Sequence, residues 1–290
     1  MFDEFVVVDW SANSTPKRGR DSIWIALFDG HRTTVENHST RAEAERRLGD
    51  IVDRSRDRRT LIGVDFSLGY PTGTASALGV GADPWCSTSS MITEMVVDDE
   101  RNANNRFEVA AALNKRMTGE AAPFWGCPPA RVSSTLRSTK PPSFGPFGEW
   151  RLVEQRLRRG GLQPFSSWQL LGAGAVGSQT LLGLPMVHRA LRREPGRVHV
   201  WPFTTGLRAP EADVGTVVIA ELWPSMMSPM AAEATNAARV RDEAQVRAAA
   251  AWLASVDADG TIGELFAPDM TAAERAAVER EEGWVLGVAG

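Results

Sequence analysis

Three acidic residues end apolar runs of similar design. Asp9 ends the run in FVVVDW, Asp65 the run in LIGVDF, and Glu221 the run in VVIAEL. If the three runs are neighbouring parallel strands, each delivers its carboxylate to the same edge of a sheet. Crowded carboxylates repel one another and resist removal from water, so a bound divalent cation or a raised pKa is the usual outcome. Hard oxygen ligands favour Mg²⁺ or Mn²⁺ over zinc.

A simpler explanation stays open for each acid taken alone. An acid after a strand is often a helix cap or a turn residue. A fourth acid, Asp242 in RVRDEAQV, starts a predicted late helix, where the helix dipole alone favours an acid in the first turn. Three acids with one design are harder to explain in this way. We therefore predict a catalytic, metal-binding cluster of Asp9, Asp65, Glu221 and Asp242.

The hydrophobic pattern predicts the elements that would position these acids. Continuous apolar runs indicate buried strands, and apolar residues at helical spacing indicate amphipathic helices. The predicted strands are Phe5–Asp9, Ser22–Phe28, Arg32–His38, Leu61–Asp65 and Thr216–Glu221, and the predicted helices are Arg41 to about Arg56 and Arg239–Val256. The order β-β-β-α-β at the start of the chain favours a mixed sheet with helical cover.

The 290 residues are expected to form a single domain with a large insertion. The core spans about residues 1–75 and 211–260, the insertion about 76–210, and a helical tail 261–290. The insertion holds most of the tryptophans and prolines. Helices are expected in the second half of Asp99–Met117 and in Trp150–Arg159, and the tryptophans are expected to fill a small core of the insertion's own.

Composition limits the class of protein. A net charge of −4 argues against a dedicated nucleic-acid scaffold, without excluding an enzyme that has a local basic cleft. The two cysteines lack zinc-site spacing and indicate a reduced compartment. Acidic residues near the start and the lack of a membrane-length apolar run predict a soluble, cytoplasmic protein with no membrane partner. The sequence does not predict the oligomeric state.

The acid-bearing segments, VVDWSA, GVDFSLGYP, AELWPS and RDEAQV, together resemble those of DUF429-type, RNase H-like proteins over about residues 5–75 and 214–260. The resemblance implies an α/β fold with a mixed five-stranded sheet in the order 3-2-1-4-5, flanked by helices, with the insertion between the fourth and fifth strands. By the same resemblance, Asp9, Asp65, Glu221 and Asp242 correspond to the family's acids. Such proteins are commonly described as predicted nucleases.

A phosphate-bearing substrate would need cationic and polar groups above the acids. Most basic residues are expected to be solvated surface charges, but some of those in the insertion would neutralise a phosphate if they fold over the acidic edge. The predicted substrate-binding residues are Trp10, Ser11, Asn13, Arg106, Arg131 and Lys140, with Arg106 in NNRF preferred among the cations. Nucleic acid, a nucleotide or a phosphorylated small molecule would all suit such a site.

Three functions remain open at this stage. The first is a phosphodiesterase or nuclease that uses Mg²⁺ or Mn²⁺. The second is an ATP-binding phosphotransferase or ATPase of the actin–hexokinase type, with the loop after the first strand around the phosphates. The third is a catalytically silent protein that binds a nucleotide or small molecule. GAGAVG at 172–177 matches a dinucleotide fingerprint but follows no convincing strand, so a glycine-rich loop or a tight helix contact is favoured.

Overall fold

A mixed six-stranded sheet forms the centre of the molecule. The computed structural model describes residues 1–172, 175–211, 213–227 and 240–290. The strands are β1 Glu4–Asp9, β2 Ile23–Phe28, β3 Thr33–His38, β4 Thr60–Val64, β5 Val198–Val200 and β6 Val217–Glu221. They lie in the order β3-β2-β1-β4-β6-β5. Strands β1, β4, β6 and β5 are parallel, and the hairpin partners β2 and β3 are antiparallel to their neighbours.

The predicted α/β class and mixed sheet are confirmed. All five predicted strands form within one or two residues of the expected limits. Where five strands were expected, the sheet has six, because Val198–Val200 in the insertion pairs with β6 as an additional edge strand. The strands β1, β4 and β6 are buried almost throughout, as expected for parallel strands covered on both faces.

The register of the three central strands decides which side chains can meet. Val8 pairs with Val64, and Val64 pairs with Glu221. One residue further along, Asp65 donates its backbone N–H to Val8 (3.2 Å), and Leu222 donates its own to Val64 (2.8 Å). The next row across the sheet is therefore Asp9, Asp65 and Leu222. Because successive side chains of a strand point to opposite faces, Glu221 belongs to a different row from the two aspartates.

Eight α-helices cover the sheet in the part of the chain that the structure describes. They are α1 Arg41–Arg54, α2 Thr74–Ala77, α3 Pro84–Met95, α4 Arg106–Met117, α5 Leu152–Arg159, α6 Val176–Arg193, α7 Arg241–Ala258 and α8 Ala272–Ala277. Helix α1 begins as predicted: the Thr40 hydroxyl accepts the backbone N–H of Glu43, and Ala44, Leu48 and Ile51 face the core. Helices α4, α5 and α7 also form where the sequence predicts helices.

Two helices of the insertion, α3 and α6, were not predicted. Helix α3 is rich in serine and threonine, which have low helix propensity, and α6 contains Pro185. Both are stabilised by burial of an apolar face, since α3 packs on α6 and residues of both belong to the core on one side of the sheet. Tertiary packing thus overrides weak local preference.

The insertion shares the core of the sheet, contrary to the expectation that its tryptophans form a small core of their own. Trp85 and Trp168 belong to the same apolar cluster as Val6 and Val8 of β1. Residues of α7 and of the tail, among them Trp284, form a second cluster on the opposite face. The buried tryptophans therefore serve packing, and base stacking by them is not supported.

The tail after residue 260 is only partly helical. It contains the 3-10 helix Ile262–Phe266 and then α8, which continues as a π-helix over Val278–Glu282. An extended stretch follows, in which Val285 pairs with Glu221 and Leu286 donates its N–H to the Glu221 backbone oxygen (2.8 Å). The tail thus seals the open edge of β6 near its carboxyl end. Within the described ranges, no helix combines the length and the apolar character needed to cross a membrane.

Candidate functional site

Asp9 and Asp65 lie side by side at the ends of β1 and β4 and line the same cavity. They occupy the same row of the sheet, and both are partly buried. The backbone N–H of Trp10 donates to Asp65 Oδ1 at 2.7 Å, which fixes the orientation of that carboxylate. The sequence predicted that these acids would meet, and the structure brings them into direct contact.

The environment of this pair disfavours two negative charges. Removal from water raises the pKa of Asp9 well above its usual value, and the nearby charges of Asp65, Asp242 and Asp21 raise it further. Removal from water also raises the pKa of Asp65 to about 7, although the Trp10 N–H and the bond to Asp9 act in the opposite direction. The two pKa values are coupled, and burial disfavours ionisation of both carboxyl groups at once.

Asp242 and Asp21 extend the pair into a cluster of four carboxylates. Asp242 lies in the first turn of α7, and its Oδ2 accepts the backbone N–H of Asp21 at 2.7 Å. Asp21 has a positive φ of 54°, which Asp tolerates better than most residues, and precedes β2. All four acids line one cavity of about 600 Å³. We call Asp9, Asp21, Asp65 and Asp242 the acidic cluster.

Arg106 places a buried positive charge in the same cavity. Arg106 is the first residue of α4 and is 8% exposed. Its guanidinium donates to the side-chain oxygens of Ser178 (2.9 Å), Ser14 (2.9 Å) and Asn104 (2.8 Å). Among the described residues it has no carboxylate within ion-pair distance. Burial, with the nearby charge of Arg41, lowers the pKa of Arg106 to about 10, so it remains charged at neutral pH. An unpaired buried guanidinium favours an anion such as phosphate.

The loop after β1 forms the rim of the cavity and is held by Arg41. The buried Arg41 guanidinium donates to the backbone oxygens of Ser11 (2.9 Å) and Asn13 (2.8 Å) and forms a bidentate ion pair with Asp98. Ser11 and Asn13, which were predicted to bind substrate, line the cavity, but their side chains bond to each other and to the backbone oxygen of Asp21. They therefore shape the rim.

Trp10 lines the cavity mainly through its backbone. Its ring is 1% exposed and packs near Phe66, with 6.1 Å between ring centroids. Its N–H orients Asp65, and its carbonyl oxygen accepts a hydrogen bond from Gln179. Trp10, which was predicted to bind substrate, therefore holds the acidic cluster in position through its backbone.

The prediction that Glu221 joins the other acids requires correction. Both of its oxygens bond to Arg151, at 2.6 and 2.8 Å, and Oε2 also accepts the Leu68 N–H at 3.0 Å. Glu154 binds the same guanidinium. The cause is the one-residue offset in register: Leu222 occupies the row of Asp9 and Asp65. Glu221 lines a neighbouring cavity and lies outside the acidic cluster.

The structure does not bring Arg131 and Lys140 to this cavity. Arg131 pairs with Glu108 on the exposed side of α4, and Lys140 pairs with Glu149 at 2.6 Å. Both side chains are about half exposed. They are ordinary surface ion pairs, which corrects their predicted role in binding substrate.

The glycine-rich segment 172–177 falls partly on residues 173–174, which lie outside the described residues. The segment before it forms an isolated bridge between Trp125 and Gln169 in place of a strand. A Cβ on Gly177 would lie 2.6 Å from the carbonyl oxygens of both Ser167 and Gln169. Close backbone contact at the start of α6 therefore explains this glycine, as the favoured alternative to a dinucleotide site predicted.

Several residues of the site were missed by sequence reasoning. Asp21 could have been found from the predicted hairpin, because the residue before β2 must lie near the end of β1. Arg41, Ser178 and Gln179 had no such signal, since their positions depend on the packing of the insertion. Polar residues inside that insertion have no period that marks them as part of a site.

The described residues contain no group of three or more His, Cys, Asp or Glu side chains arranged so as to hold a metal ion. Asp9 and Asp65 are turned toward each other, and Asp242 is bonded to the Asp21 backbone. The donor set has the right chemistry for a hard divalent cation, since it consists of carboxylates with more negative charge than the neighbouring groups neutralise. It is not assembled into a coordination shell.

Comparisons of the chain with models of known protein families, with curated proteins and with solved structures found no match.

Proposed function

We propose that this protein is a divalent-cation-dependent phosphodiester hydrolase with an RNase H-like arrangement of its core. The observation that carries the proposal is the coexistence, in one cavity, of a carboxyl pair that resists double ionisation and a buried arginine without an acidic partner. Carboxylates suit Mg²⁺ or Mn²⁺, and a guanidinium suits a phosphate oxygen. A phosphodiester bound with a divalent cation presents both partners together.

The fold supports the RNase H-like part of the proposal. Across the sheet, the strands lie in the order β3, β2, β1, β4 and β6, with β5 added at the edge. An order of 3-2-1-4-5 is what the resemblance implies for its five strands. The acids that end β1 and β4 lie side by side. A helix that follows the last strand supplies Asp242 to the same cavity.

The residues of the chain have separate roles in this proposal. Asp9, Asp65 and Asp242 would hold the cation through their carboxylate oxygens. Bound Mg²⁺ or Mn²⁺ supplies activation of water and stabilisation of the leaving oxygen. Arg106 would bind a non-bridging phosphate oxygen and orient the ester. In hydrolysis a water oxygen bonds to phosphorus, the P–O bond to the alcohol breaks, and a proton passes to the leaving oxygen.

The test is hydrolysis of bis(p-nitrophenyl) phosphate in Mn²⁺ by the wild-type protein and two variants. Asp9→Asn should lower turnover by at least about 100-fold while the protein stays folded, because it removes a charged donor from the centre of the cluster. Asp50→Asn makes the same chemical change on the exposed face of α1 and should leave turnover unchanged. Equal turnover of the Asp9 variant and wild type would rule out this mechanism.

The same samples distinguish the ATP-binding alternative. A rise in melting temperature with Mg·ATP that survives Asp9→Asn, without hydrolysis of the diester, would favour nucleotide binding over the proposed reaction. For the hydrolase we expect Mn²⁺ alone to raise the melting temperature of the wild-type protein, and Asp9→Asn to remove that shift.

A further inference from the structure

A second cavity adjoins the cavity of the acidic cluster at Asp65. It has a volume of about 320 Å³ and shares Asp65, Gln179 and Trp223 with the cavity of the acidic cluster. Arg106 lines only the first cavity, and Phe165 only the second. The two are therefore adjoining parts of one cleft, which we call the acidic lobe and the apolar lobe.

The apolar lobe has a different chemistry from the acidic lobe. Most of its lining is apolar or aromatic, from Leu157, Pro164, Phe165, Leu222, Trp223 and Val285. Three carboxylates also line it: Asp65, which it shares with the acidic lobe, and Glu154 and Glu221, which are both bound to Arg151. An apolar lobe next to polar groups that fix orientation is the usual composition of a small-molecule site, and its volume is at the lower limit for such sites.

Phe165 is the residue that most needs an explanation in this lobe. It leaves 43% of its surface exposed at the cavity, although large aromatic side chains usually bury most of their area. Trp223, partly buried, lines both lobes at their junction. Exposed aromatic rings beside a phosphate site are a common platform for the flat face of a base.

From this geometry we infer that the substrate is a nucleotide ester, with its phosphate in the acidic lobe at Arg106 and the attached base in the apolar lobe against Phe165. The inference rests on the proposed function and makes it more specific, since it selects nucleotides from among phosphate esters. Asp65 stands between the two lobes, where the ester bond of such a substrate would cross.

The experiment measures binding by isothermal titration calorimetry in the presence of MnCl₂. The probes are AMP and ribose 5-phosphate, which differ only in the base, and inorganic phosphate. AMP should bind about tenfold or more tightly than ribose 5-phosphate, the size expected from stacking one base. Phe165→Ala should lower the affinity for AMP to about that for ribose 5-phosphate, and it should leave the affinity for ribose 5-phosphate unchanged.

A matched control is available three residues earlier. Leu162 is 44% exposed and does not line the lobe, so Leu162→Ala should leave the preference for AMP intact. Because both residues are exposed, neither truncation should prevent folding, and thermal unfolding of each variant checks this.

The outcomes separate this inference from the proposed function. If AMP and ribose 5-phosphate bind equally, or if Phe165→Ala does not weaken AMP, the apolar lobe does not hold a base and the inference is wrong, while the phosphate site stands. If neither sugar phosphate nor inorganic phosphate binds, the proposed function fails, and the inference fails with it.

Discussion

Two groups of acids lie at the same edge of the sheet and differ in how their charge is satisfied. In the acidic cluster, Asp9 and Asp65 face each other, and burial and mutual repulsion raise the pKa of Asp9. In the other group, Glu154 and Glu221 are more fully buried, but Arg151 lies between them with hydrogen bonds to both. We call this second group the Arg151 network. At the rim of the acidic cluster, Asp21 pairs with Lys17 and Arg20. Asp9 and Asp65, by contrast, have no cationic side chain within ion-pair distance among the described residues, whereas Glu154 and Glu221 have Arg151.

This difference separates a candidate site from a structural element. Buried charge that is fully paired contributes to the architecture, and removing one partner is costly. Buried acids without a cationic partner are retained at a cost to stability, and such groups concentrate at functional sites. An acid at the end of a strand is therefore informative only when its partner is known. Two predictions on stability and one on surface pairs test this comparison.

The largest effect is expected in the Arg151 network. Arg151→Met leaves two buried carboxylates without their cation, and should lower the free energy of unfolding by about 3–5 kcal/mol. Urea unfolding at pH 7 measures the loss. Arg156→Met, the same change on the same helix at a more exposed and weakly paired position, is the control and should cost less than about 1 kcal/mol. Equal losses in the two variants would show that the network is not structural.

Replacing an acid of the acidic cluster should raise the free energy of unfolding, whereas the change in the Arg151 network lowers it. In chelator at pH 8, Asp9→Asn should raise the free energy of unfolding by about 1–3 kcal/mol, because it removes an acid that the folded state forces to stay protonated. The pKa of Asp9 is raised on folding. Its contribution to wild-type stability is therefore full below its unfolded pKa and is lost as pH rises toward the folded one.

The gain from Asp9→Asn should consequently shrink as pH is lowered from 8 to 4, because near pH 4 the unfolded state also begins to bind the proton that the folded state holds. Thermal or urea unfolding at several pH values gives the difference between variant and wild type, in which the groups distant from Asp9 cancel and the coupled Asp65 contributes together with Asp9. A destabilised variant at pH 8 would mean that the carboxyl pair is a structural contact comparable to the Arg151 network.

The sequence was sufficient for the acids whose position depends on the strands alone. Asp9 and Asp65 each follow a continuous apolar run, and two neighbouring parallel strands bring such residues together without reference to anything else. The five predicted strands follow from the same signal. The stretch VHVW around His199 also has the pattern of a strand, but the three residues Val198–Val200 do not themselves indicate which strand they pair with, so the sixth place in the sheet was missed.

Glu221 shows where this reasoning stops. The apolar runs before Asp65 and Glu221 look alike, but the period of a strand is two, so an offset of one residue sends a side chain to the other face. The register between two strands is set by how they pack on each other, so it cannot be deduced from the residues of one strand alone. The same limit applies to Arg106, whose partners Ser14 and Ser178 come from distant segments.

The smallest effect is expected at the two basic residues that the structure leaves on the surface. Arg131→Ala and Lys140→Ala each remove one exposed ion pair, which contributes less than about 1 kcal/mol because water screens it. In both variants, turnover of bis(p-nitrophenyl) phosphate should change by less than about twofold, since neither side chain lines the cleft. Arg106→Ala, by contrast, removes the one cation that the described residues place in the acidic lobe, and it should weaken the binding of phosphate esters. If Arg131→Ala or Lys140→Ala impaired turnover as strongly as Arg106→Ala, then paired surface charges would matter as much as the unpaired buried one, and the absence of an ion-pair partner would not identify the residues of the site.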